Sequence, residues 1–487
     1  MIRPLLRLSA RLWLPLPMLL ALVGPAVVPG HAPGAPLQVG AAAVPITPPA
    51  GIGMAGYYHE RSQEGSLDEL QAKAIVLDDG ETRAAIVVCD LIAMPAWIAK
   101  DARQRVAALT GIPGSNVLIA ATHTHTAPVL YREWNRDSFD GGDKPVSLAY
   151  SRSLPDRIAE AVHAAQQARQ AARLAAGRGH EPDLAHNRRY WMRDGTVAWN
   201  PGKGNTNIVR PAGPIDPEVG VLCAEPSAGK GGRFLTFVNY ALHPDTTGGT
   251  RLSADYPGAL ARTLAACQGP GLITVFANGT CGNINHLDFR STFPQGGPGE
   301  AARLGTILAG AVLKTYPRLQ AIPHPGPLRV RREVVPLPLA PFTPAELEQA
   351  RFDVRTARDN QRAGFMKLVR AYRVLDTAAR EGRPLEVEMQ VIALGREVAW
   401  VSWPGEIFVE LGLAVKRGSP FAHTYNVELA NGTIGYIPNR SAYAEGNYEV
   451  ESARVAAGAG ELLVASALRL LEDLAREAGP APSPAAP

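Results

Sequence analysis

Apolar runs with strand character alternate with helical segments along this chain of 487 residues, and this alternation constrains the fold more than any other feature. The strand candidates in the first two thirds are 73–79, 82–94, 116–125, 233–244 and 271–280. Helices are predicted over 96–109, over "LPDRIAEAVHAAQQARQAARLAA" and over "YPGALARTLAAC". The order predicts an α/β fold, with mixed β-sheets flanked by helices, in a single large domain.

The last third of the chain begins with a highly charged segment. Thr343 is the predicted N-cap of a helical pair and Pro344 its first helical residue, and the pair is expected to lie as an arm or cover beside the main sheet. Two strands joined at Gly395 and Arg396 follow, and then a helix. A final helix is expected over roughly 450–475.

The first 30 residues have the layout of a secretory signal peptide. Three arginines precede an apolar run from Leu12 to Val28, which prolines interrupt and which is short for a bilayer span. A membrane anchor is therefore the less favoured interpretation. The sequence predicts a secreted or periplasmic protein with a signal peptide over 1–30, a catalytic domain over 31–475 and a disordered Pro/Ala tail over 476–487.

Charge and cysteine content exclude some classes of protein. Removal of the leader takes away three arginines and no acidic residue, so the formal net charge falls from +4 to +1, which gives no reason to expect a nucleic-acid partner. The four cysteines are Cys89, Cys223, Cys267 and Cys281. Their spacing contains no CxxC, and one or two disulfides remain open, in any of three connectivities.

The motif "ATHTHTAP" places His123 and His125 at the end of the apolar run "NVLIA". Residues i and i+2 of a strand face the same side, so both imidazoles are predicted to face one space at the strand end. That arrangement suits a metal ligand beside an acid–base group. Taken alone, the motif fits a buried or turn histidine equally well.

A third histidine and a carboxylate strengthen the metal interpretation. His243 ends another apolar strand in "NYALHPDT", and Glu406 follows a strand in "WVSWPGEIF". Two histidines and one glutamate form a common ligand set of catalytic zinc sites. Glu406 by itself would also suit the first turn of a helix, where a carboxylate interacts favourably with the helix dipole.

These motifs resemble those of the neutral/alkaline, non-lysosomal ceramidase family. That family is similar in a THTH element after a strand, an AVH-like strand end, a PGE turn before a helix and a late tyrosine-rich segment, and the four features occur here in the same order. The resemblance extends over about residues 37–470. It represents only the family's catalytic domain.

The resemblance implies a role for several residues. It makes His125 the acid–base group, Arg188 of "AHNRRY" a neighbour of the reacting group, and Tyr448 the phenol that hydrogen-bonds the reacting carbonyl oxygen. Tyr436, Tyr443 and Tyr448 repeat the family's tyrosine spacing. The implied zinc ligands are His123, His243, Glu406 and Tyr436.

The implied activity is zinc-dependent hydrolysis of an N-acyl amide by zinc-activated water, as in cleavage of ceramide to a sphingoid base and a fatty acid. The expected partners are a small-molecule or lipid N-acyl substrate and, transiently, a membrane surface. One departure is that Asn283 and Asn285 replace the aspartate and serine of the family's GDxSP-like stretch. A serine acyl-enzyme is therefore disfavoured.

Three other interpretations remain open at this stage. The chain could be a related metal hydrolase that acts on a different amide or ester, because the serine motif is altered. It could be a catalytically silent, metal-containing binding protein. An amidohydrolase barrel also uses an HxH pair, but there the pair normally ends the first barrel strand, whereas several strands precede it here.

Overall fold

A computed structural model describes Met1 and residues 36–228, 231–323, 325–359 and 364–478, with the side chains of 357–359 excepted. The strands are, in chain order, β1 (Gln38–Pro45), β2 (Gly53–Met54), β3 (Arg61–Ser62), β4 (Gln71–Asp78), β5 (Arg83–Cys89), β6 (Val117–Ala121), β7 (Gln170–His180), β8 (His186–Asn187), β9 (Arg189–Met192), β10 (Val197–Trp199), β11 (Ile208–Pro211), β12 (Glu218–Pro226), β13 (Leu235–Tyr240), β14 (Ile273–Asn278), β15 (Ile284–Asn285), β16 (Gln320–Ile322), β17 (Leu328–Leu337), β18 (Leu385–Leu394), β19 (Val398–Ser402), β20 (Glu406–Ile407), β21 (His423–Val427) and β22 (Tyr436–Ile437). The helices are α1 (Ala96–Thr110), α2 (Asp137–Asp140), α3 (Pro145–Gln167), α4 (Asp255–Gln268), α5 (Pro298–Thr315), α6 (Pro344–Asp359), α7 (Phe365–Ala378), α8 (Val409–Gly418), α9 (Ala442–Glu445), α10 (Tyr448–Ser452) and α11 (Ala459–Glu477).

Two mixed sheets form the centre of the fold. The larger has nine strands, in the order β14-β13-β12-β7-β1-β4-β5-β6 with β16 also paired to β7, and the smaller has the order β17-β18-β19-β21. Pairing is parallel for β5 with β6, β13 with β14 and β19 with β21, and antiparallel elsewhere in these two sheets. Among the described strands there is no closed ring of eight parallel strands, which excludes the barrel alternative.

The sheets stack face to face, and helices cover their outer faces. Strand β4 shows the resulting pattern, because Ile75 and Leu77 belong to the core between the sheets, whereas Ala74 and Val76 face the core under α1 and α3. Helices α4 and α5 cover the other half of the large sheet, and α8 and α11 cover the small one. Burial on both faces explains why these strands are almost continuously apolar in sequence. The predicted α/β class, mixed sheets and single large domain are confirmed.

The edges of the large sheet approach one another. The edge strands β14 and β6 are in contact, and the Asn278 side-chain amide donates to the Thr122 carbonyl at 3.4 Å. The His125 amide also donates to the Pro244 carbonyl, at 3.0 Å. The loops that follow β6, β13 and β14 are therefore brought together, although they lie far apart in sequence.

Several element boundaries differ from the predictions. The helix predicted to reach residue 176 ends at Gln167, and 170–180 is strand β7, whose "QAARLAA" pairs with β12 and so loses its helical preference to sheet burial. The strand predicted over 116–125 ends at Ala121. The last helix begins at Ala459, after the separate short helix α10.

Other predictions are met closely. Helix α6 begins at Pro344, and Thr343 and Glu346 exchange hydrogen bonds as a capping box, with the Thr343 amide 2.6 Å from the Glu346 carboxylate and the Glu346 amide 3.2 Å from the Thr343 hydroxyl. The strands joined at Gly395 and Arg396 are β18 and β19.

All four cysteines are free, and Cys267 alone among them is exposed, so the disulfides considered above do not form.

Residues from Pro36 onward cluster as one unit. The predicted signal peptide, except Met1, and residues 479–487 of the predicted tail lie outside the described residues. Within the described part of the chain, no helix has both the length and the apolar character needed to cross a membrane.

Candidate metal centre

The predicted ligands lie in loops and short strands just beyond the two sheets. His123 and His125 follow β6, and His243 follows β13. Glu406 and Tyr436 open the short strands β20 and β22, and the two residues are direct partners in that parallel ladder. Backbone pairing therefore fixes the carboxylate and the phenol side by side.

The two histidines of "THTH" do not share a strand face, so the geometric reason given for their proximity is wrong. His123 has a φ of 76°, which is rare for a residue with a side chain and turns the backbone sharply after β6. Even so, the imidazoles meet, because Nε2 of His123 and Nε2 of His125 lie 3.4 Å apart. The prediction that the two imidazoles face one space is right, but a strained turn brings them together rather than the alternation of side chains along a strand.

Three side chains converge on one point. Oε2 of Glu406 lies 3.3 Å from Nε2 of His123 and 3.2 Å from Nε2 of His243. The ligand atoms of His123, His125 and His243 all lie within 4.8 Å of one another, so this group could hold a metal ion. Burial is nearly complete, with His123 at 3% and His243 at 1% exposure.

Backbone carbonyls orient the two buried imidazoles. Nδ1 of His123 lies 2.6 Å from the Ile92 carbonyl oxygen, and Nδ1 of His243 lies 2.8 Å from that of Cys281. A carbonyl oxygen only accepts, so both Nδ1 atoms carry a proton, and both Nε2 atoms, which face Glu406, can bind a metal when the rings are neutral. This support by a second partner is typical of histidines that bind a metal.

His125 is held differently. Its Nδ1 lies 3.5 Å from Oδ1 of Asp245, and that oxygen accepts a 2.6 Å hydrogen bond from the Tyr57 hydroxyl. The Arg61 guanidinium lies 4.3 Å from the Tyr57 ring and donates to the His125 carbonyl at 2.5 Å. The sequence reasoning missed Tyr57, Arg61 and Asp245. For Asp245 the signal was the "HPD" turn after the third histidine, whereas nothing in "GYYHE" pointed to Tyr57.

Arg188 and Tyr448 lie beside this group, as predicted from the resemblance. Nη1 of Arg188 is 3.4 Å from Nε2 of His243, while its other nitrogens donate to Glu449 at 2.8 Å and to the Gly282 carbonyl at 2.6 Å. The guanidinium lies 5.4 Å from the Tyr436 ring and 6.0 Å from the Tyr448 ring. The structure thus brings together all seven residues singled out from the sequence.

Burial and charge set the protonation of the histidines and the glutamate. Burial, followed by the positive charges of Arg188 and His123, lowers the pKa of His243 to about 3. Burial likewise lowers the pKa of His125 well below its usual range. Burial opposes ionisation of Glu406, but the charge and hydrogen bond of His123, and then those of His243, hold the pKa of Glu406 well below its usual range.

His123 and Tyr436 complete this electrostatic pattern. Burial opposes protonation of His123, but the Glu406 carboxylate raises the pKa of His123 overall. Burial raises the pKa of Tyr436 well above its usual range, against the effect of Arg188. Tyr436 is therefore a neutral phenol that hydrogen-bonds Glu406 when no cation competes for the carboxylate.

The asparagines of "GNINH" have separate functions. The Asn283 side chain accepts from the Val409 amide at 2.9 Å and donates to Glu410 at 3.0 Å, so it holds the start of α8. Asn285 instead lines a cavity and donates to Oδ1 of Asn200 at 2.9 Å. Of the two departures from the family motif, only Asn285 faces the space next to the histidines.

Two cavities meet at the histidines. The large cavity, of about 440 Å³, has aromatic and amide walls that include Trp199, Asn200, Asn285 and Phe365. The small cavity, of about 90 Å³, is lined by Ile92, Trp134 and three arginines, Arg132, Arg136 and Arg454.

The residues of the centre divide between these cavities. His125, Tyr436 and Tyr448 line both. His243 and Arg188 line only the large cavity, and His123 and Glu406 line only the small one. An extended molecule could therefore lie across the centre with one end in each cavity.

A second buried carboxylate lies behind the centre. Glu428 is completely buried and accepts from the Cys281 amide and thiol, both at 3.0 Å, and from the Ile407 amide at 3.1 Å. Burial raises the pKa of Glu428 to about 8. Cys281 provides the carbonyl oxygen that accepts from His243, and Ile407 follows Glu406 in the chain, so Glu428 connects the two backbone segments beside these residues. Glu428 lines neither cavity.

The fold matches solved ceramidase structures. The chain aligns with neutral ceramidase from Pseudomonas aeruginosa at a TM-score of 0.70 and 18% identity, over 93% of this chain and 76% of that one. It aligns with a ceramidase complexed with C2 at a TM-score of 0.69 and 18% identity, over 93% and 77%. No protein-family model and no curated protein sequence matches the chain. The predicted resemblance is confirmed at the level of the fold.

Proposed function

We propose that this protein, which has the neutral ceramidase fold, is an exported zinc-dependent hydrolase that cleaves the N-acyl amide bond of a ceramide-like substrate. The observation that carries the proposal is the convergence of Nε2 of His123 and Nε2 of His243 on one oxygen of Glu406, at 3.3 and 3.2 Å, between two cavities. Two buried imidazoles and a carboxylate whose side chain is 15% exposed need a cation or protons to be stable together.

The residues present fit a zinc ion. His123, His243, Glu406 and Tyr436 would hold it, and both imidazoles are already oriented with their Nε2 lone pairs towards the same point. Nitrogen and oxygen donors in this number suit zinc. When bound, zinc lowers the pKa of water towards neutrality and polarises a carbonyl oxygen.

The chain's own residues supply the rest of the chemistry. His125, which lines both cavities and is neutral at physiological pH, accepts a proton at Nε2 and transfers it to the leaving nitrogen, while Asp245 faces its Nδ1. Tyr448, a phenol whose pKa burial raises, donates a hydrogen bond to the oxygen on which negative charge develops. Arg188, fixed by Glu449 and the Gly282 carbonyl, adds positive charge next to His243.

A serine nucleophile has no place in this proposal. Asn285 occupies the position of the family's serine, and its side-chain oxygen already accepts from the Leu287 amide at 3.1 Å. Asn285 therefore contributes a wall and a side-chain amide to the large cavity, and the nucleophile is water.

Export rests on the first 30 residues, whose three arginines and apolar run are typical of a cleaved leader. Sequencing of the N-terminus of the protein recovered from outside the cytoplasm tests this part. A mature chain that begins near residue 31 is expected. An uncut Met1 terminus on a cytoplasmic protein would contradict export.

The activity is tested by measuring the metal content of the purified protein together with hydrolysis of N-acyl amides. One equivalent of zinc and chelator-sensitive release of a fatty acid are expected, with recovery of both on zinc addition. Bound zinc without release of any acyl group would support the alternative of a silent binding protein. Release of acyl groups that survives complete zinc removal would refute the metal assignment.

A further inference from the structure

The two cavities differ in the charged groups of their walls away from Glu406 and Arg188 of the centre. Arg132, Arg136 and Arg454 line the small cavity, but the aspartates that pair with them do not. Arg132 pairs with Asp137 and Asp140, Arg136 with Asp140, and Arg454 with Asp376. These arginines are 7%, 15% and 11% exposed at their side chains, so they form fixed positive walls rather than mobile surface groups.

The large cavity offers the opposite environment away from the centre. Its walls contain the Asp245 carboxylate and a cluster of rings, in which Trp199 lies 4.5 Å from Tyr448 and Phe365 lies 5.3 Å from Tyr448, between ring centroids. Aromatic faces and carboxylates attract cations. Arg188 is the arginine that lines this cavity, and it lies at the centre itself, where Glu449 pairs with it.

Amide hydrolysis produces groups of opposite charge on the two sides of the broken bond. Water adds to the carbonyl carbon, the C–N bond breaks, and the proton passes to nitrogen, giving a carboxylic acid and an amine. Near neutral pH these become a carboxylate and an ammonium ion. The carboxylate suits the small cavity with its three arginines, and the ammonium ion suits the large cavity with its rings and Asp245.

The sizes then limit the acyl group. The small cavity, of about 90 Å³, has roughly a fifth of the volume of the large cavity, of about 440 Å³, so only the less bulky side of a substrate fits the small one. Trp134 lines the small cavity, and the Arg454 guanidinium packs 3.8 Å from its ring.

We propose that the small arginine-lined cavity binds the acyl side of the substrate, so that this enzyme prefers short N-acyl groups on bulky amines. This inference rests on the proposed hydrolase function and narrows it to N-acetyl and other short-chain N-acyl amines. Trp134 is the residue that sets the length limit.

The test compares two amides of similar total chain length with opposite distributions of bulk. N-acetylsphingosine has a short acyl group and a long amine, whereas N-hexadecanoylethanolamine has a long acyl group and a small amine. The zinc-loaded enzyme is expected to favour N-acetylsphingosine in kcat/KM by about tenfold or more, because steric exclusion of several methylenes costs at least that factor. N-hexadecanoylsphingosine is expected to be poor as well.

Trp134→Ala is expected to raise kcat/KM for the two hexadecanoyl amides by about tenfold relative to kcat/KM for N-acetylsphingosine. Trp191→Ala is the matched control, because it removes a ring that stacks on an arginine, Arg210, at 5.6 Å but lines neither cavity. If Trp134→Ala fails to fold, Ile92→Ala enlarges the same cavity. Calorimetric titration gives a second readout, in which hexanoate is expected to bind the wild-type protein more tightly than dodecanoate and Trp134→Ala to reverse that order.

The outcomes separate the two proposals. Equal or faster cleavage of N-hexadecanoylethanolamine by the wild-type enzyme would overturn the inference and leave the hydrolase proposal standing. A length preference that Trp134→Ala and Ile92→Ala both leave unchanged would also overturn it. No cleavage of any of the three amides would refute the proposed function and, with it, this inference.

Discussion

The two cavities beside the histidine cluster differ in size, in charge and in origin. The walls of the large cavity come from distant segments, with Trp199 on β10, Asn285 on β15 and Phe365 at the start of α7. The small cavity takes Arg132, Trp134 and Arg136 from the loop before α2, and Arg454 from the segment after α10. The centre uses residues from loops and short strands just beyond the two sheets, whereas the small cavity takes its arginines from segments next to short helices.

This difference indicates which residues determine substrate specificity in such a chain. The residues of the centre are fixed by strand pairing, by backbone carbonyls and by near-complete burial, so they tolerate little change. The cavity walls are fixed by ion pairs and ring contacts in loops, which can vary without moving the sheets.

Loss of a ligand should have the largest effect, whichever cavity the ligand faces. His243→Ala on the large side and Glu406→Ala on the small side should each remove bound zinc and lower kcat/KM by about a thousandfold or more, since both depend on one metal. Metal analysis and amide hydrolysis check this. His423→Ala, at a half-buried histidine on β21 away from the cluster, is the control. Full zinc and activity in only one of the two variants would show that the cavities do not share a centre.

Removal of the Tyr448 hydroxyl should have the next largest effect, because Tyr448 lines both cavities. Tyr448→Phe should lower kcat by about a hundredfold, the usual result of removing one donor to a developing oxyanion, with zinc retained. Tyr443→Phe is the matched control, because its hydroxyl donates to the Val455 carbonyl at 2.8 Å and lines neither cavity. Equal activities of the two variants would remove Tyr448 from the reaction.

Asp245 should have a smaller effect, confined to the large-cavity side. Asp245→Asn weakens the orientation of His125 and is expected to lower kcat about tenfold, within the range of a general acid–base contribution. The ratio of activities on acetyl and hexadecanoyl amides should stay unchanged, because Asp245 does not line the small cavity. Asp194→Asn, at an exposed turn, is the control. A changed acyl preference in Asp245→Asn would break the assignment of acyl and amine sides.

The sequence was sufficient to predict the class of fold and the members of the centre, but not how they meet. Alternating apolar runs are a local signal, and they predicted β4, β5, β6, β13, β14, β18 and β19, but they gave no prediction for β1, β12, β17, β21 or α5 and the wrong structure for β7. The side-by-side position of Glu406 and Tyr436 depends on a two-residue parallel ladder between distant segments, which leaves no local pattern. The turn at His123 likewise has a φ of 76° that no residue preference would suggest.

The cavities were beyond prediction for a related reason. Arg132, Arg136 and Arg454 read in sequence as solvent-exposed charges, because their partners Asp140 and Asp376 become close only when loops pack. The positions of Tyr57 and Trp199 in the large cavity could not be predicted either, since an isolated aromatic residue is usually part of a core. Motifs predicted which residues converge at the centre, whereas the volume and charge of the cavities arose from tertiary packing alone.

Glu428 should affect the free energy of unfolding but not substrate binding in either cavity. Its substitution should therefore change activity less than any other substitution considered. The pKa of Glu428 is about 8 in the folded state, raised by burial from 4.5. Between about pH 4.5 and 8 the unfolded chain has lost this proton and the folded one keeps it, so the free energy of unfolding falls as pH rises through that window. The fall due to Glu428 is on the order of a few kcal/mol.

The Glu428→Gln variant has no ionisable group at this position. Its free energy of unfolding should therefore lack the part of the pH-dependent fall that Glu428 causes. Urea unfolding of the zinc-free proteins at pH 5 and pH 8 should show the variant gaining stability relative to wild type at the higher pH. The acetyl-to-hexadecanoyl activity ratio should be the same in both proteins, because Glu428 lines neither cavity. Parallel pH dependence in the two proteins would mean that Glu428 is ionised in the folded state, and that its charge instead offsets the positive charge near His123.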